Sequence, residues 1–151
     1  MGNYTAENEP LEDMKELLED NWEQFKEHPL PIVVISNDPD DAASRINLNE
    51  GDHIIIKMEG SENIKYRGNI KYRDSTFPIV LEVQTKESRQ RLRDLWRQIK
   101  AICFDNLHDF PNWQLIRLVG YTEMVNANLS IWKAIIRINL ESAGVAVETN
   151  V

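Results

Sequence analysis

The first recurring apolar pattern starts at Pro10, where Leu11, Met14, Leu18, Trp22 and Phe25 follow one another at spacings of three, four, four and three. This spacing places them on one face of a helix that ends before Pro29. Glu12, Asp13, Glu16, Glu19, Asp20, Glu23 and Glu27 cover the remainder, and only Lys15 and Lys26 offset them. Like charges at helical spacing repel, so a basic neighbour would stabilise this helix. A stronger helical pattern comes later: Leu92, Leu95, Trp96, Ile99, Ile102 and Cys103 recur at i, i+3, i+4, i+7, i+10 and i+11. Thr85 or Ser88 is its N-cap. Arg89, Arg91, Arg93, Arg97 and Lys100, against Asp94, give this second helix a basic outer face.

Elsewhere the period shortens to two. Ile32 to Ile35 and Ile54 to Ile56 are β-branched runs, bounded by Pro31, by the turn-rich Ser36 to Asp41, and by Gly51-Asp52. Residues 63 to 68 and 69 to 74 are near duplicates, Asn-Ile-Lys-Tyr-Arg-Gly and Asn-Ile-Lys-Tyr-Arg-Asp. In them Ile64, Tyr66, Ile70 and Tyr72 alternate with Lys65, Arg67, Lys71 and Arg73, as in a strand with one apolar and one basic face. Two readings fit: one long strand, or a hairpin turning at Gly68-Asn69. After Pro78, Ile79, Leu81 and Val83 alternate with Val80, Glu82 and Gln84. Two further strands follow, Trp113 to Tyr121 and Leu129 to Glu141, separated by a turn at Asn126 to Asn128. In the last of them Trp132, Ala134, Ile136, Ile138 and Leu140 form one face.

The order is helix, strands, helix, two strands. Each helix stripe and sheet face needs a partner to bury it, and the economical solution is an α+β domain. Its sheet is mainly antiparallel, with two amphipathic helices packed on one face. Residues 1–9 are expected to fray, 10–141 to form the single domain, and 142–151 to form a loose tail.

Composition changes this picture in one respect. The 151 residues are 42% apolar and 28% charged, with one cysteine and a net charge of −8. A chain of this length closes a core without disulfides or structural metal, and Cys103, at core spacing in a helix, fits a packed thiol in a reducing compartment. No run approaches the roughly 20 apolar residues of a membrane span, and the start lacks the basic and apolar regions of a signal peptide. Net acidity argues against general nucleic-acid binding. The charge is unevenly placed, however: residues 1–41 hold 12 acidic and 2 basic side chains, the remainder 13 and 15. An acidic pole and a basic pole suit docking between like subunits.

Candidate chemistry is sparse. His28, His53 and His108 are scattered and lack the spacing of metal ligands, and there is no phosphate-binding glycine loop or nucleophile elbow. No metal, cofactor or catalytic residue is expected. Asp74, Glu82, Gln84 and Lys86 form a degraded version of the acidic and lysine motif of PD-(D/E)xK nucleases, with Gln84 where that motif carries lysine; a polar strand face is the favoured alternative. Trp22, Trp96, Trp113 and Trp132 each fit an apolar stripe or face, as core residues do.

The acidic leading helix, the strand Tyr72-Arg73-Asp74 running into Pro78 to Thr85, and the helix opening Lys86-Glu87-Ser88-Arg89-Gln90-Arg91-Leu92 together resemble the tail-terminator, or tail-completion, family of tailed bacterial and archaeal viruses. The resemblance spans residues 10 to 141, through the two closing strands. It implies a non-enzymatic virion protein assembled in the host cytoplasm. Such subunits form a ring, commonly of six, that caps the tail tube and receives the head-side connector; another neck component of similar build is the alternative. Heterologous contacts of that kind close into rings. The expected interface sets Glu12, Glu16, Glu19 and Glu23 of one copy against Arg89, Arg93 and Arg97 of the next, with Lys65, Arg67, Lys71 and Arg73 as a second basic surface. No membrane contact and no sequence-specific nucleic acid are expected.

Overall fold

A computed structural model describes residues 9–23, 30–36, 51–60, 62–67, 69–108, 113–126 and 131–146, with backbone alone for 67, 69–73, 125–126 and 143–146. Of the expected frayed start, residues 1–9, residues 1–8 lie outside the described residues and Glu9 is the N-cap position of the first helix.

Helix α1 spans Pro10–Asn21, with Pro10 in its first turn, where a missing N–H costs nothing. It is shorter than the apolar spacing predicts: Trp22 is already extended. Two features account for the stop. Its last turn holds Glu19 and Asp20 and no cation, opposing the helix dipole, and the Asn21 side-chain amide donates to the Leu17 carbonyl at 2.9 Å. Helix α2 spans Arg89–Asp105. Of the two candidate caps, Ser88 takes the role, its Oγ accepting from the Arg91 amide at 3.0 Å. Asn106 ends α2 as Asn21 ends α1, donating from its side chain to the Ile102 carbonyl at 2.9 Å.

The strands are β1 (Ile32–Ile35), β2 (His53–Met58), β3 (Asn63–Arg67), β4 (Asn69–Thr85), β5 (Leu115–Asn126) and β6 (Ile131–Ala146). They form one sheet in the order β1-β2-β4-β6-β5, with β3 pairing the far half of β4. Among the described strands only β1 and β2 run parallel; the remaining pairs are antiparallel. The fold is therefore α+β, with a mainly antiparallel sheet.

Both helices lie on one face. Ile54 and Ile56 of β2, Ile79, Leu81 and Val83 of β4, Ile116 of β5, and Ala134, Ile136, Ile138 and Leu140 of β6 point the same way. There they meet Met14, Leu17 and Leu18 of α1 and Leu92, Leu95, Ile99, Ile102 and Cys103 of α2. Trp113 is buried in this core, edge-on to Phe77 at 5.1 Å between ring centroids, and its Nε1 donates to Asp13 of α1 at 2.8 Å. Trp22, Trp96 and Trp132 pack partly buried against the same cluster, as their positions predict.

The duplicated segment resolves as the hairpin: β3 and β4 are antiparallel, with Ile64 opposite Ser75, Lys65 opposite Asp74 and Tyr66 opposite Arg73. The strand then continues unbroken through Pro78 to Thr85. Pro78 is tolerated because its carbonyl, accepting from the Glu59 amide at 2.9 Å, faces the link where β4 exchanges β3 for β2. The absent N–H faces the same link and breaks no ladder. Strand β6 also outruns its predicted end at Glu141. It continues to Ala146 because the early half of β4 supplies partners, Ser142 opposite Ser75 and Ala146 opposite Tyr72. The segment from 142 therefore begins as strand, and 147–151 lie outside the described residues. In β5 the register shifts between Leu118 and Gly120, so the alternation read from sequence holds up to Leu118 and resumes with Tyr121 facing the core.

Candidate assembly surface

The four α1 acids expected at an interface are exposed. Glu12, Glu16, Glu19 and Glu23 follow one another at spacings of four, three and four, so the three inside the helix form one stripe about 10 Å long. None of them has an ion-pair partner among the described residues. Glu23 lies just beyond the helix end, and its carbonyl accepts from the Gln98 side chain of α2 at 2.5 Å. That contact links the two helices without using any of the stripe's charge.

The arginines of α2 are placed differently. Arg89 and Arg93, one turn apart, both reach Glu123 of β5, at 2.7 and 3.3 Å. Tyr121 completes this group by donating its hydroxyl to Glu123 at 3.0 Å. Partial burial pushes the Glu123 carboxyl up, but the hydrogen bonds from Arg89, Tyr121 and Arg93 outweigh it and hold the group below the usual carboxylate range. Burial, and then the Glu123 carboxylate, push the Tyr121 phenol up. The Tyr121 ring stacks on Trp96 at 4.8 Å, and the Lys100 ammonium lies 5.3 Å from the centre of the Trp96 ring. Arg97 remains 68% exposed, with Asp94 of its own helix at 3.6 Å. Of the three predicted interface arginines, Arg97 is thus the most available.

Arg91, read as part of the basic outer face, is buried instead. Its Nε donates to Asp52 at 2.8 Å, and the two side chains are 5% and 8% exposed. The helical spacing contains this signal, since Arg91 precedes Leu95 by four residues and Ile99 by eight and so stands on the margin of the apolar stripe. The Asp52 carbonyl accepts from the Ile32 amide at 2.8 Å, so the pair joins α2 to the point where β1 and β2 begin.

The basic hairpin projects away from the helices. Asn63, Ile64, Lys65 and Tyr66 are all exposed, and among the described residues neither helix makes more than a marginal contact with β3. Arg67, Lys71 and Arg73 belong to the same hairpin, but their side chains lie outside the described residues. The expected basic face is not formed: folding the duplicate back on itself sets Tyr66 opposite Arg73 and Lys65 opposite Asp74, which divides the basic positions between the two faces.

On the face away from the helices, Glu82 of β4 lies between two lysines. Lys57 of β2 donates to it at 2.6 Å, Lys133 of β6 bonds its other oxygen, and Gln84 donates to that oxygen at 3.1 Å. Burial pushes the Glu82 carboxyl up, yet the two ammonium groups more than offset this and hold it below the usual carboxylate range. The arrangement neutralises a carboxylate at the centre of the sheet and leaves its oxygens engaged. Asp74 lies eight residues away on the same strand, about 26 Å along it. The structure therefore does not bring Asp74 and Glu82 to one metal ion. Among the described residues, no three His, Cys, Asp or Glu side chains stand together in a way that could hold a metal.

His53 is buried, its Nδ1 3.1 Å from the Gly51 carbonyl, and Cys103 is buried with its thiol pushed up to about 12 by desolvation. A thiol so placed is largely unavailable as a thiolate. Among the described residues, no helix is long and apolar enough to cross a membrane. No protein-family model matches the chain, and no curated protein matches it.

Proposed function

We propose that this chain is a structural virion protein, a ring-forming tail terminator that caps the tail tube and presents a docking surface to the head-side connector. The resemblance in the order and texture of its elements supports this reading. The observation that carries it is the exposed stripe of Glu12, Glu16, Glu19 and Glu23, which has no ion-pair partner among the described residues while the chain's opposite charge lies on other elements. An acidic surface and a separate basic surface on one subunit allow head-to-tail contacts between identical copies, and these close into a ring when the rotation permits.

Such a protein needs shape and charge rather than a reactive centre, and the groups described here are organised accordingly. Glu82 and Glu123 are each held by two cations within the chain. The test is electron microscopy of the purified protein, alone and mixed with tail tubes. Annuli that seat on tube ends are expected. Featureless monomers that ignore the tubes contradict the reading.

A further inference from the structure

We infer that the projecting arm made by β3 and the early half of β4 docks on the acidic stripe of α1 in a second copy of the chain; this rests on the ring reading and names its subunit contact. The arm is defined by pairing. β3 covers β4 from Asn69 to Thr76 on one side, and β6 covers part of the same stretch on the other, over a reach of roughly 23 Å. The face of the arm that continues the helix-covered face of the sheet carries Ile64 and Tyr66, 41% and 62% exposed. Helix cover ends before reaching it, because among the described residues neither α1 nor α2 makes more than a marginal contact with β3. Ser75 lies on this face, opposite Ile64, buried and with no hydrogen-bond partner for its Oγ among the described residues. An apolar patch and an unsatisfied hydroxyl describe a surface that its own chain has not finished.

Charge identifies the occupant. The hairpin carries Lys65, Arg67, Lys71 and Arg73 within nine residues, while residues 1–41 carry 12 acids against 2 cations. Of these cations Arg73 stands opposite Tyr66 at a register position on the same face, whereas Lys65 stands opposite Asp74 on the other. The stripe of Glu12, Glu16 and Glu19 is exposed and without described ion-pair partners, so it is free to receive those cations. The α2 arginines are weaker candidates, since Arg89 and Arg93 already share Glu123 and Arg97, though exposed, has Asp94 of its own helix at 3.6 Å. Burial of Tyr66 beside the charged contacts would supply the apolar centre that oppositely charged surfaces alone lack.

Single-cysteine variants test the contact. Cys103 is the chain's one cysteine and is buried, so an added thiol reacts first. Glu16→Cys protein is mixed with Arg73→Cys protein and treated with a short bis-maleimide, and a covalent dimer is expected from the mixture and from neither variant alone. Glu16→Cys mixed with Arg97→Cys serves as the competing geometry and is expected to give none. Arg73→Glu should weaken association about tenfold, and adding Glu16→Arg in the same chain should restore it. Annuli by microscopy without the Glu16–Arg73 cross-link, or with a Glu16–Arg97 cross-link in its place, overturn the docking while the ring survives. A monomer with no cross-link in either mixture removes both.

Discussion

The two helices lie side by side on the same face of one sheet, yet their outward charges have opposite fates. Helix α2 presents Arg89 and Arg93 to β5, where Glu123 collects both. It also sends Arg91 inward to Asp52. Helix α1 offers Glu12, Glu16 and Glu19 to no described partner, and it closes on Glu19 and Asp20 where a cation would suit the dipole. Apart from Arg97, the basic helix is thus built into the subunit, while the acidic helix, Asp13 excepted, is left to whatever approaches from outside. A charge count gives the two helices equal and opposite roles. Their neighbours make one of them structural and the other available.

The largest effect that should separate them is at Asp52. Asp52→Ala removes the buried partner of the Arg91 guanidinium, leaving it only the half-exposed Glu87 carboxylate at 3.9 Å, and should cost about 3 kcal/mol in urea denaturation, whereas Glu16→Ala on α1 should change stability little in the isolated subunit. The cores beneath the two helices should behave alike. Leu18→Ala and Leu95→Ala each empty a fully buried site and should each cost about 2–5 kcal/mol. A much smaller loss at Leu18 would mean that α1 is less firmly seated than α2.

Helix capping sharpens the contrast at a lower magnitude. Ser88→Ala removes a cap bond from α2 and should cost about 1 kcal/mol, while Glu9→Ser at the uncapped start of α1 should gain a fraction of that. Thermal unfolding of both variants measures the difference.

Glu82 gives the acid-side prediction. Its folded carboxyl titrates below its ordinary value of 4.5, so as the pH falls through that value the unfolded chain takes up the proton first. The stability it contributes is full above that pH and declines as the pH drops toward the depressed folded value. Glu82→Gln should flatten this part of the stability profile, and a slope unchanged by the substitution would contradict the assigned ion pairs.

Much of the fold was legible in the sequence because it rests on periodicity. The stripe from Leu92 to Cys103 and the alternation from Ala134 to Leu140 each identify an element and its buried face without reference to anything distant. The parts that were not legible depend on long-range register. Nothing local to Glu82 places it between Lys57 and Lys133, which come from strands 25 positions before it and 51 after it. Nothing near Arg89 and Arg93 identifies Glu123 as their partner, because β5 must first be laid beside α2. The end of α1 was missed for a different reason. Apolar spacing continues to Phe25, but the helix stops where acids fill its last turn and Asn21 takes up a terminal carbonyl. Strand β6 was cut short for a related reason, since its extension to Ala146 depends on the arm of β4 supplying partners.

The central claim is that the unpartnered acidic face of α1 joins copies of the chain to one another, and sedimentation of the purified protein at low and high salt tests it most directly. The account predicts a single closed species at low ionic strength, a whole-number multiple of 17.6 kDa, that dissociates as added salt screens exposed intersubunit pairs. A 17.6 kDa particle at both salt concentrations, unchanged when Glu12, Glu16 and Glu19 are reversed to lysine, would contradict it.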